Sequence, residues 1–475
     1  MLLDRRAVMA AGAAATTVQA ANAQSAPPPI TSSVTRILAE YITGARFEDM
    51  PANVRREGQR TLLNYVGVAV GGSRHETVDR ALKALAPFTG SPEANVLGRG
   101  ERLDTLNAAL VNGISSHIFD YDDTHLKTII HPAGPVVSAI LALAQHQPVS
   151  GADFLNAMVL GIETECRIGN AVYPSHYEMG WHITGSCGVF GSAAACGKLL
   201  RLTPQQMVWA LGIAASQPVG LKVQFGSMTK SFHPGRAAQN GLTAALLAQQ
   251  GFTADQAALE GKDGWAQALS RQVRWEEVTQ GLGTRYEAAL NTYKPFACGI
   301  VTHPAIDAAI QLHDAGLQPD QIAAVTLYAN PLVLSLTGKT DPAIGLEGKF
   351  SIYHCIAVGL LFGAAGERQF QDAVVRDPAV VALRKLVTVR TSTVLTPEQC
   401  DLGVQTKDGR ILSRHIDKAI GSLEKPMSDA ALEKKFLDLS DGILPEPKAR
   451  TVMETCRKIE QQADAGALAR TASLA

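Results

Sequence analysis

The chain has 475 residues, which exceeds the usual size of a single hydrophobic core, so we expect two domains. Hydrophobic residues make up 46% and charged residues 18%, a balance typical of a globular enzyme and not of a disordered chain. Lys and Arg number 43 against 44 Asp and Glu, so no basic surplus predicts binding to nucleic acid.

The first 23 residues are predicted to be a twin-arginine export signal, and residues 24–32 a linker. Arg5 and Arg6 precede an alanine-rich run that ends in Ala21-Asn22-Ala23, a small-x-small cleavage site. We therefore expect a periplasmic protein. No other run is long and apolar enough to span a membrane, so no membrane partner is predicted.

Residues 33–282 have the pattern of an all-helical domain. Apolar residues recur at helical spacing over residues 54–70, 105–118 and 152–172. Two capping boxes, at residues 203–206 and 253–256, indicate helix starts, because the threonine hydroxyl and the glutamine amide satisfy backbone groups that a helix end leaves unpaired.

A dense polar cluster lies inside this helical pattern, at residues 117–131. It contains three carboxylates, three imidazoles and the hydroxyl of Thr124, and it directly precedes an apolar run at residues 136–144. A solvated helix end could explain one such residue, but not the whole set. An EF-hand loop starting at Asp120 is excluded, because its sixth and twelfth positions would be His125 and His131.

No metal is predicted at this cluster. The spacings His-x-x-x-His and Cys-x-x-Cys, which are typical of transition-metal sites, do not occur there. The 7 cysteines are an odd number at scattered positions, so we interpret them mostly as small buried hydrophobic residues.

Two further stretches of the helical region carry polar groups of interest. His182 stands just before a helix of small residues predicted at 186–200, where a core histidine is the alternative. Lys230, His233 and Arg236 stand before a helix predicted at 237–250. Free backbone N–H groups and the helix dipole would add to these cations to bind an anion, and a solvated basic turn is the alternative.

Residues 283–415 are predicted to form a smaller α+β domain. Strands are expected at residues 323–329 and 386–391, and a hairpin around residues 407–409, with helices at 304–313 and 352–362. Lys294 lies in a proline-limited loop near the domain junction, where a hinge lysine is the alternative. Tyr353 opens an apolar helix and could belong to the core. Residues 416–475 return to helix and should pack back on the first domain.

Together these segments resemble the MmgE/PrpD family, which includes 2-methylcitrate dehydratase and cis-aconitate decarboxylase. The resemblance covers nearly the whole mature chain, from residues 62–67 to residues 421–428. It implies a mostly α plus α+β fold, with a large helical domain completed by the C-terminus and a smaller α+β lid. It also implies a homodimer that needs no metal or organic cofactor.

The resemblance assigns the chemistry to residues whose types match the family's motifs. The positions implied to be catalytic are Asp120, Thr124, His131, His182, Lys230, Lys294 and Tyr353. Substrate-binding roles are expected for His233, Arg236 and His303. This chain departs from the family in two places: the segment between Thr124 and His131 looks one residue longer than in the decarboxylases, and Asn64 stands where many relatives have Asp.

These residue types suit chemistry next to a carboxylate. Removing an α-proton, or losing CO₂, builds up enolate-like charge that fixed cations stabilise, while a neutral histidine is a suitable base. We predict a cofactor-independent lyase that acts on a small di- or tricarboxylate by dehydration, with decarboxylation as the second choice. Two alternatives use the same cationic pocket: an epimerase or isomerase, and a periplasmic carboxylate-binding protein without catalysis.

Overall fold

A computed structural model describes residues 33–474. The predicted export signal at residues 1–23 and the predicted linker at residues 24–32 fall outside this range, as does Ala475. Among the described residues, no helix combines the length and the apolar character that crossing a membrane requires.

Helices dominate residues 33–282. Their bounds are α1 (Val34–Gly44), α2 (Ala52–Gly72), α3 (Glu76–Leu85), α4 (Thr105–His117), α5 (Ala133–His146), α6 (Gly151–Val172), α7 (Ser175–Glu178), α8 (Ile183–Leu199), α9 (Pro204–Ala215), α10 (Thr229–Gln249), α11 (Trp265–Leu269) and α12 (Glu276–Thr279). This region also contains three short strands, β1 (Ala94–Asn95), β2 (Arg102–Leu103) and β3 (Asp123–His125). The first two pair with each other, so they add only a small ladder to a helical body.

Residues 283–415, called the lid region below, combine helices with a mixed sheet. The helices are α13 (His303–Asp314), α14 (Pro331–Thr337), α15 (Gly345–Gly348), α16 (Ile352–Phe362), α17 (Asp372–Val375) and α18 (Pro378–Arg384). The strands are β4 (Asn291–Tyr293), β5 (Ile322–Ala329), β6 (Val387–Thr391), β7 (Cys400–Thr406) and β8 (Ile411–Ile416). The last four form one sheet in the order β6-β5-β7-β8, in which only the β5/β6 pair is parallel.

The chain ends in helices that pack on the helical body. They are α19 (Asp429–Ser440), α20 (Glu446–Arg457) and α21 (Gly466–Thr471). Phe436 of α19 is buried against α2 at Gly67, where an added Cβ would come within 3.0 Å of the phenylalanine ring. A side chain at position 67 would therefore push the two helices apart. The predicted fold class is confirmed, whereas the domain boundaries at residues 282 and 415 stay predictions.

Small residues set the spacing of the central helices. An added Cβ at Gly113 of α4 would lie 2.4 Å from the Cα atom of Gly235 in α10, and one at Gly241 of α10 would lie 2.4 Å from Ser192 of α8. Such contacts leave no room for larger side chains, so α10 lies in direct backbone contact with both neighbours. This close packing brings the polar ends of α4 and α10 together.

One of the two predicted helix-capping boxes is present in the structure. Thr203 and Gln206 form the predicted capping box at the start of α9. The second predicted box, at Thr253, is wrong: residues 253–264 form turns in which Asp255 accepts a hydrogen bond from the backbone N–H of Ala257. The cysteine prediction agrees with the structure, since all seven side chains are buried and free.

Candidate active site

A short β-ladder joins the polar cluster to the lid region. Strand β3 pairs antiparallel with β4, with Asp123 opposite Tyr293 and Thr124 opposite Thr292. The Thr292 hydroxyl also donates to the Thr124 carbonyl oxygen at 2.7 Å. The residues that flank these strands, Asp120 before β3 and Lys294 after β4, therefore meet although 174 positions separate them.

The predicted helix start at residue 237 is wrong, because α10 begins at Thr229 and includes Pro234. Lys230, His233 and Arg236 thus lie within the first two turns of the helix and not in a loop before it. Residues three apart share a helix face, as Lys230 and His233 do, whereas residues six apart lie about 120° from each other around the helix, so Arg236 points away from Lys230. Lys230 and His233 are buried, whereas Arg236 is exposed and bonds to Gln239.

Asp120 is the anionic centre of the site. Its Oδ1 accepts hydrogen bonds from Lys230 Nζ at 2.9 Å and from Lys294 Nζ at 2.7 Å. Its backbone is left-handed, with φ 49°, which is uncommon for a residue other than glycine and turns the side chain between the two lysines. Burial alone would raise the pKa of Asp120, but the two ammonium groups hold that pKa well below its usual range.

Each of these lysines keeps one N–H bond for a ligand. Lys230 Nζ donates to Asp120 and, at 2.9 Å, to His117 Nε2, whereas Lys294 Nζ donates to the side chain and, at 3.1 Å, to the backbone oxygen of Asp120. An ammonium group has three N–H bonds, so two are used within the described residues and one remains. Both lysines line the same cavity, where the remaining bonds can hold a carboxylate.

His117 supports this arrangement without facing the cavity as a base. Its Nδ1 lies 2.5 Å from Asp122 Oδ2, and its Nε2 accepts from Lys230. Both ring nitrogens are therefore engaged, and neither can take a substrate proton. The sequence placed His117 and Asp122 in the polar cluster but gave neither a role. His117 lies at the end of α4, where the glycine contact between α4 and α10 brings it to Lys230, and Asp122 lies in the loop before β3.

His131 is held in the tautomer that a general base needs. Its Nδ1 lies 2.7 Å from the Asp123 carbonyl oxygen and 3.1 Å from the Thr124 hydroxyl. A carbonyl oxygen can only accept, so Nδ1 carries the proton and Nε2 keeps a lone pair. Burial lowers the pKa of His131 to about 3, although the Asp122 carboxylate opposes this shift. The imidazole is therefore neutral at neutral pH.

His182 is a second neutral imidazole on the same cavity. Its Nδ1 lies 2.9 Å from His233 Nδ1, so one ring donates to the other, and its Nε2 is buried with no hydrogen-bond partner in residues 33–474. Burial, the Lys230 charge and the neighbouring His233 hold the pKa of His182 well below its usual range. When His233 donates, the proton of His182 sits on Nε2 and can be given to a substrate.

The cavity between these groups is small and buried. It measures about 30 Å³, close to the room for a single water molecule, and is lined by Asp120, His131, His182, Lys230, Lys294 and Phe350, among others. The rings of His131 and His182 are 6.3 Å apart, and each is within 5.6 Å of His117. The lid region supplies one side of this cavity, so moving the lid region would enlarge it.

Five of the ten residues expected at the site do not line this cavity. Thr124 and His233 touch it only through their contacts with His131 and His182, and the other three lie elsewhere. Arg236 lies on the exposed side of α10. His303 is buried at the start of α13 and lines a different, larger cavity. Tyr353, in the first turn of α16, packs at the edge of the lid core. The family resemblance assigned a catalytic position to Tyr353, and substrate-binding roles were expected for Arg236 and His303, but in this structure none of the three lines the cavity around Asp120.

Lys435 holds the site together and was not anticipated from the sequence. Its Nζ, buried in α19, donates to Asn64 Oδ1 at 2.8 Å, to the Tyr121 carbonyl oxygen at 2.6 Å and to the Lys294 carbonyl oxygen at 2.9 Å. Burial holds its pKa well below the usual range, while three acceptors favour the ammonium form, since a neutral amine has only two N–H bonds. Helix α19 thus fixes the backbone at Tyr121, next to Asp120, and at Lys294, which binds Asp120.

Two sets of side chains bring potential metal ligands together. His117, His131 and His182 form one set and Asp120, Asp122 and His131 the other, each with ligand atoms within 4.8 Å of one another. The ammonium groups of Lys230 and Lys294 already contact Asp120, and both nitrogens of His117 are engaged. A metal ion would have to approach two fixed positive charges, so these residues fit a cation poorly.

Fold and site define a mostly helical protein with an α+β lid and a buried acid–base centre of two lysines, two aspartates and neutral imidazoles. The chain belongs to the MmgE/PrpD family: residues 36–278 match the MmgE/PrpD N-terminal domain and residues 296–461 the MmgE/PrpD C-terminal domain.

Several characterised proteins are similar to the chain over most of their length. The cis-aconitate decarboxylase of Aspergillus terreus is 27% identical, covering 93% of this chain and 96% of that protein. The cis-aconitate decarboxylase of Homo sapiens is 26% identical, over 92% and 94%. The 2-methylcitrate dehydratase of Cupriavidus necator is 24% identical, over 82% and 85%.

Proposed function

We propose that this protein is a cofactor-independent lyase that acts on a small di- or tricarboxylate, such as a 2-methylcitrate-like hydroxy acid. The observation that carries the proposal is the tautomer of His131. The Asp123 carbonyl oxygen fixes the proton on Nδ1, so a neutral Nε2 is available beside two lysines that each keep a free N–H bond. The substrate class is supported by the similar proteins that are named cis-aconitate decarboxylase and 2-methylcitrate dehydratase.

Dehydration makes use of both imidazoles. Lys230 and Lys294 hold the carboxylate next to the reacting carbon, and His131 Nε2 removes the α-proton. The electron pair of the broken C–H bond builds up enolate-like charge, which the lysines stabilise, and then forms the alkene as the C–O bond breaks. His182 gives its Nε2 proton to the departing hydroxide, so the products are an unsaturated acid and water.

Decarboxylation is the second candidate, because decarboxylases are among the relatives matched over more than nine-tenths of this chain. In this reaction the C–C bond to a carboxylate breaks and CO₂ leaves. The electron pair of the broken bond stays on the substrate as the same enolate-like charge near the lysines. The neutral His182 then delivers its Nε2 proton to carbon. Dehydration takes precedence in the proposal since two separately held imidazoles suit a reaction that both removes and delivers a proton.

The test is incubation of the purified protein with a panel of di- and tricarboxylates in D₂O, followed by NMR. A new alkene signal without release of CO₂ supports dehydration, and CO₂ release supports decarboxylation. Exchange of the α-proton for deuterium with no group lost would instead make the protein an epimerase or isomerase. Binding with neither exchange nor reaction would make it a carboxylate-binding protein and would refute the lyase.

We also propose export through the twin-arginine route and a periplasmic location, supported by Arg5, Arg6 and the small residues before Gln24. Mass spectrometry of protein from its native host should find Gln24 at the N-terminus. Lysine at both positions 5 and 6 should leave the precursor in the cytoplasm, and abundant soluble protein that keeps Met1 would refute the proposal. A homodimer, implied by the family resemblance, should appear as twice the chain mass in light scattering.

A further inference from the structure

A second cavity lies directly beside the small cavity lined by Asp120, His131 and His182, which is called the catalytic cavity below. It measures about 440 Å³, within the range of about 300–1,000 Å³ that is typical of small-molecule sites. Its lining comes from both halves of the protein: Leu126, Ile129 and Tyr173 from the helical region, and Leu332, Ala419 and Ile420 from the lid region and the segment after it. The catalytic cavity, at about 30 Å³, is far smaller.

The two cavities share a wall of aliphatic side chains. Ile129, Ile300 and Val301 line both of them. Ile129 has a left-handed backbone, with φ 60°, which is a strained conformation for a β-branched residue. Its backbone N–H donates to the His125 carbonyl oxygen at 2.9 Å, so the strained turn is held in place between the two spaces. A connection between the two cavities would require these side chains to rotate.

His303 shows that the second cavity is not simply a gap in the hydrophobic core. It lines the cavity, is only 2% exposed, and apart from the adjacent Cys298 thiol its ring nitrogens meet no hydrogen-bond partner in the described part of the chain. Its ring packs edge-on against Phe296, with centroids 5.2 Å apart. A buried imidazole that has at most a thiol as partner is costly in a protein core, and its presence in the cavity wall points to a ligand that meets this surface.

The charges around the second cavity argue against a carboxylate inside it. Lys127 Nζ lies 3.4 Å from Glu287, and Lys418 is paired with Glu398 and Glu424. Each lysine of the lining is thus already neutralised by an acid, in contrast to the lysines of the catalytic cavity, which keep free N–H bonds. The remaining lining residues are mostly aliphatic, so the space favours an apolar occupant.

We propose that the second cavity binds an apolar substituent of the substrate, several carbon atoms long, while the catalytic cavity holds its carboxylates. This inference rests on the proposed lyase function and narrows the substrate class to polycarboxylates with an alkyl or similar side chain. Burial of the chain supplies binding energy remote from the reacting carbons, which can be used to position them. We assign the occupant to the substrate because the same three side chains, Ile129, Ile300 and Val301, line both cavities, so a group in the second cavity lies next to the reacting carbons.

The test is a homologous series of citrate- and aconitate-type acids that carry methyl, propyl or pentyl substituents. The value of kcat/KM should rise about threefold to fourfold for each added methylene until the cavity is filled. In the Ile420→Glu variant the rise with chain length should disappear, while the methyl acid reacts within about twofold of wild type, as expected for a change remote from the chemistry. Ile411→Glu, at a residue 74% exposed on β8, is the matched control and should keep the rise.

The outcomes separate this inference from the proposed function. Turnover that is fastest with the methyl acid and falls with chain length would overturn the cavity assignment and leave the lyase standing. Calorimetry with unreactive 2-alkylsuccinates gives a second measurement that needs no turnover. Affinity that grows with chain length in wild type but not in Ile420→Glu supports the cavity, and affinity independent of chain length overturns it. If no acid of either series binds or reacts, the proposed function fails as well.

Discussion

Lys294 and Asp120 are joined twice, because Lys294 Nζ donates to both the side-chain Oδ1, at 2.7 Å, and the backbone oxygen, at 3.1 Å, of the same aspartate. The lysine belongs to the lid region and the aspartate to the helical body. The pair is buried, so each charge depends on the other for stabilisation. This contact between the lid region and the helical body therefore also holds the charge of Lys294 where an anion can bind.

Lys294→Ala should remove one cation from the catalytic cavity and leave Asp120 with one lysine. We expect a loss of transition-state binding on the order of 2–5 kcal/mol, measured as a decrease in kcat/KM on the true substrate. Lys407→Ala, at an exposed lysine in the β7–β8 turn, is the control and should change nothing. Full activity in Lys294→Ala would show that the lysine only ties the regions together.

His131→Ala should stop exchange of the α-proton because it removes the only nitrogen that we assign as base. Substrate affinity should stay within about tenfold of wild type, since the lysines that hold the carboxylate are untouched. Exchange is measured by NMR in D₂O and affinity by calorimetry. His146→Ala, at an exposed histidine, serves as the control. Exchange at the wild-type rate would transfer the role of base to His182.

Lys435→Met should lower kcat more than it raises KM, since Lys435 positions the backbone around Asp120 without facing the cavity. The change also leaves three buried oxygens without a donor, at about 1–3 kcal/mol each, so kcat is measured on the folded fraction. Lys434→Met changes the exposed neighbour and should leave both constants alone. A variant that is merely less stable, with unchanged kcat per folded molecule, would limit Lys435 to a structural role.

Buried neutral histidines should make the protein sensitive to acid. Burial is the main cause that lowers the pKa of His131 and of His233 to about 3 and that of His176 to about 4, against an ordinary value of 6.5. The pKa of each such histidine is lower in the folded protein than in the unfolded chain, so the unfolded chain binds protons first as pH falls. The stability of the folded protein is therefore complete, as far as this histidine is concerned, above pH 6.5 and is lost as pH falls toward the native pKa. At pH 5 the loss is about 2 kcal/mol for each such histidine.

The melting temperature, measured from pH 7.5 to pH 5, should therefore stay nearly constant down to about pH 6.5 and decrease below it. His176→Gln removes one of these groups and should flatten the decrease, whereas His146→Gln, at the exposed histidine, should not. A melting temperature that is constant over this range would contradict the assignment of neutral imidazoles.

Chelation should leave both turnover and melting temperature unchanged. The reason is that Lys230 and Lys294 place their charges on Asp120, where a metal would otherwise bind. The measurements are activity and thermal unfolding after exhaustive dialysis against a chelator, together with elemental analysis. One equivalent of metal that leaves together with activity would overturn this reading of the polar cluster.

Much of the fold and part of the site could be predicted from the sequence, because those features depend on neighbouring residues. The hairpin around residues 407–409 was recognised from its turn residues, and the structure pairs Gln405 with Ile411 across it. The polar cluster at residues 117–131 was identified by its density alone. The local sequence is sufficient to predict such features, because the residues that carry the pattern are the same ones that form the structure.

The remaining features depend on which way a side chain points or on distant contacts. Arg236 follows Lys230 by six residues, but helix α10 starts early enough that the two face different surroundings. Lys435 touches Asn64 across 371 positions, and no periodicity or spacing encodes such a contact. The sequence singled out Asn64 only as a departure from relatives, and the structure shows that it accepts a hydrogen bond from this lysine.

The contacts of Lys435 also have a consequence for the order in which the protein is made. Asn64 and Tyr121 leave the ribosome long before the helix that carries Lys435, which follows them by 371 and 314 residues. At about 5–20 residues per second, the polar loop at Tyr121 waits roughly 16–63 s for the ammonium group that fixes it. Throughout that interval the growing chain carries its acidic loop unfixed, and the site is assembled as one of the last steps of folding.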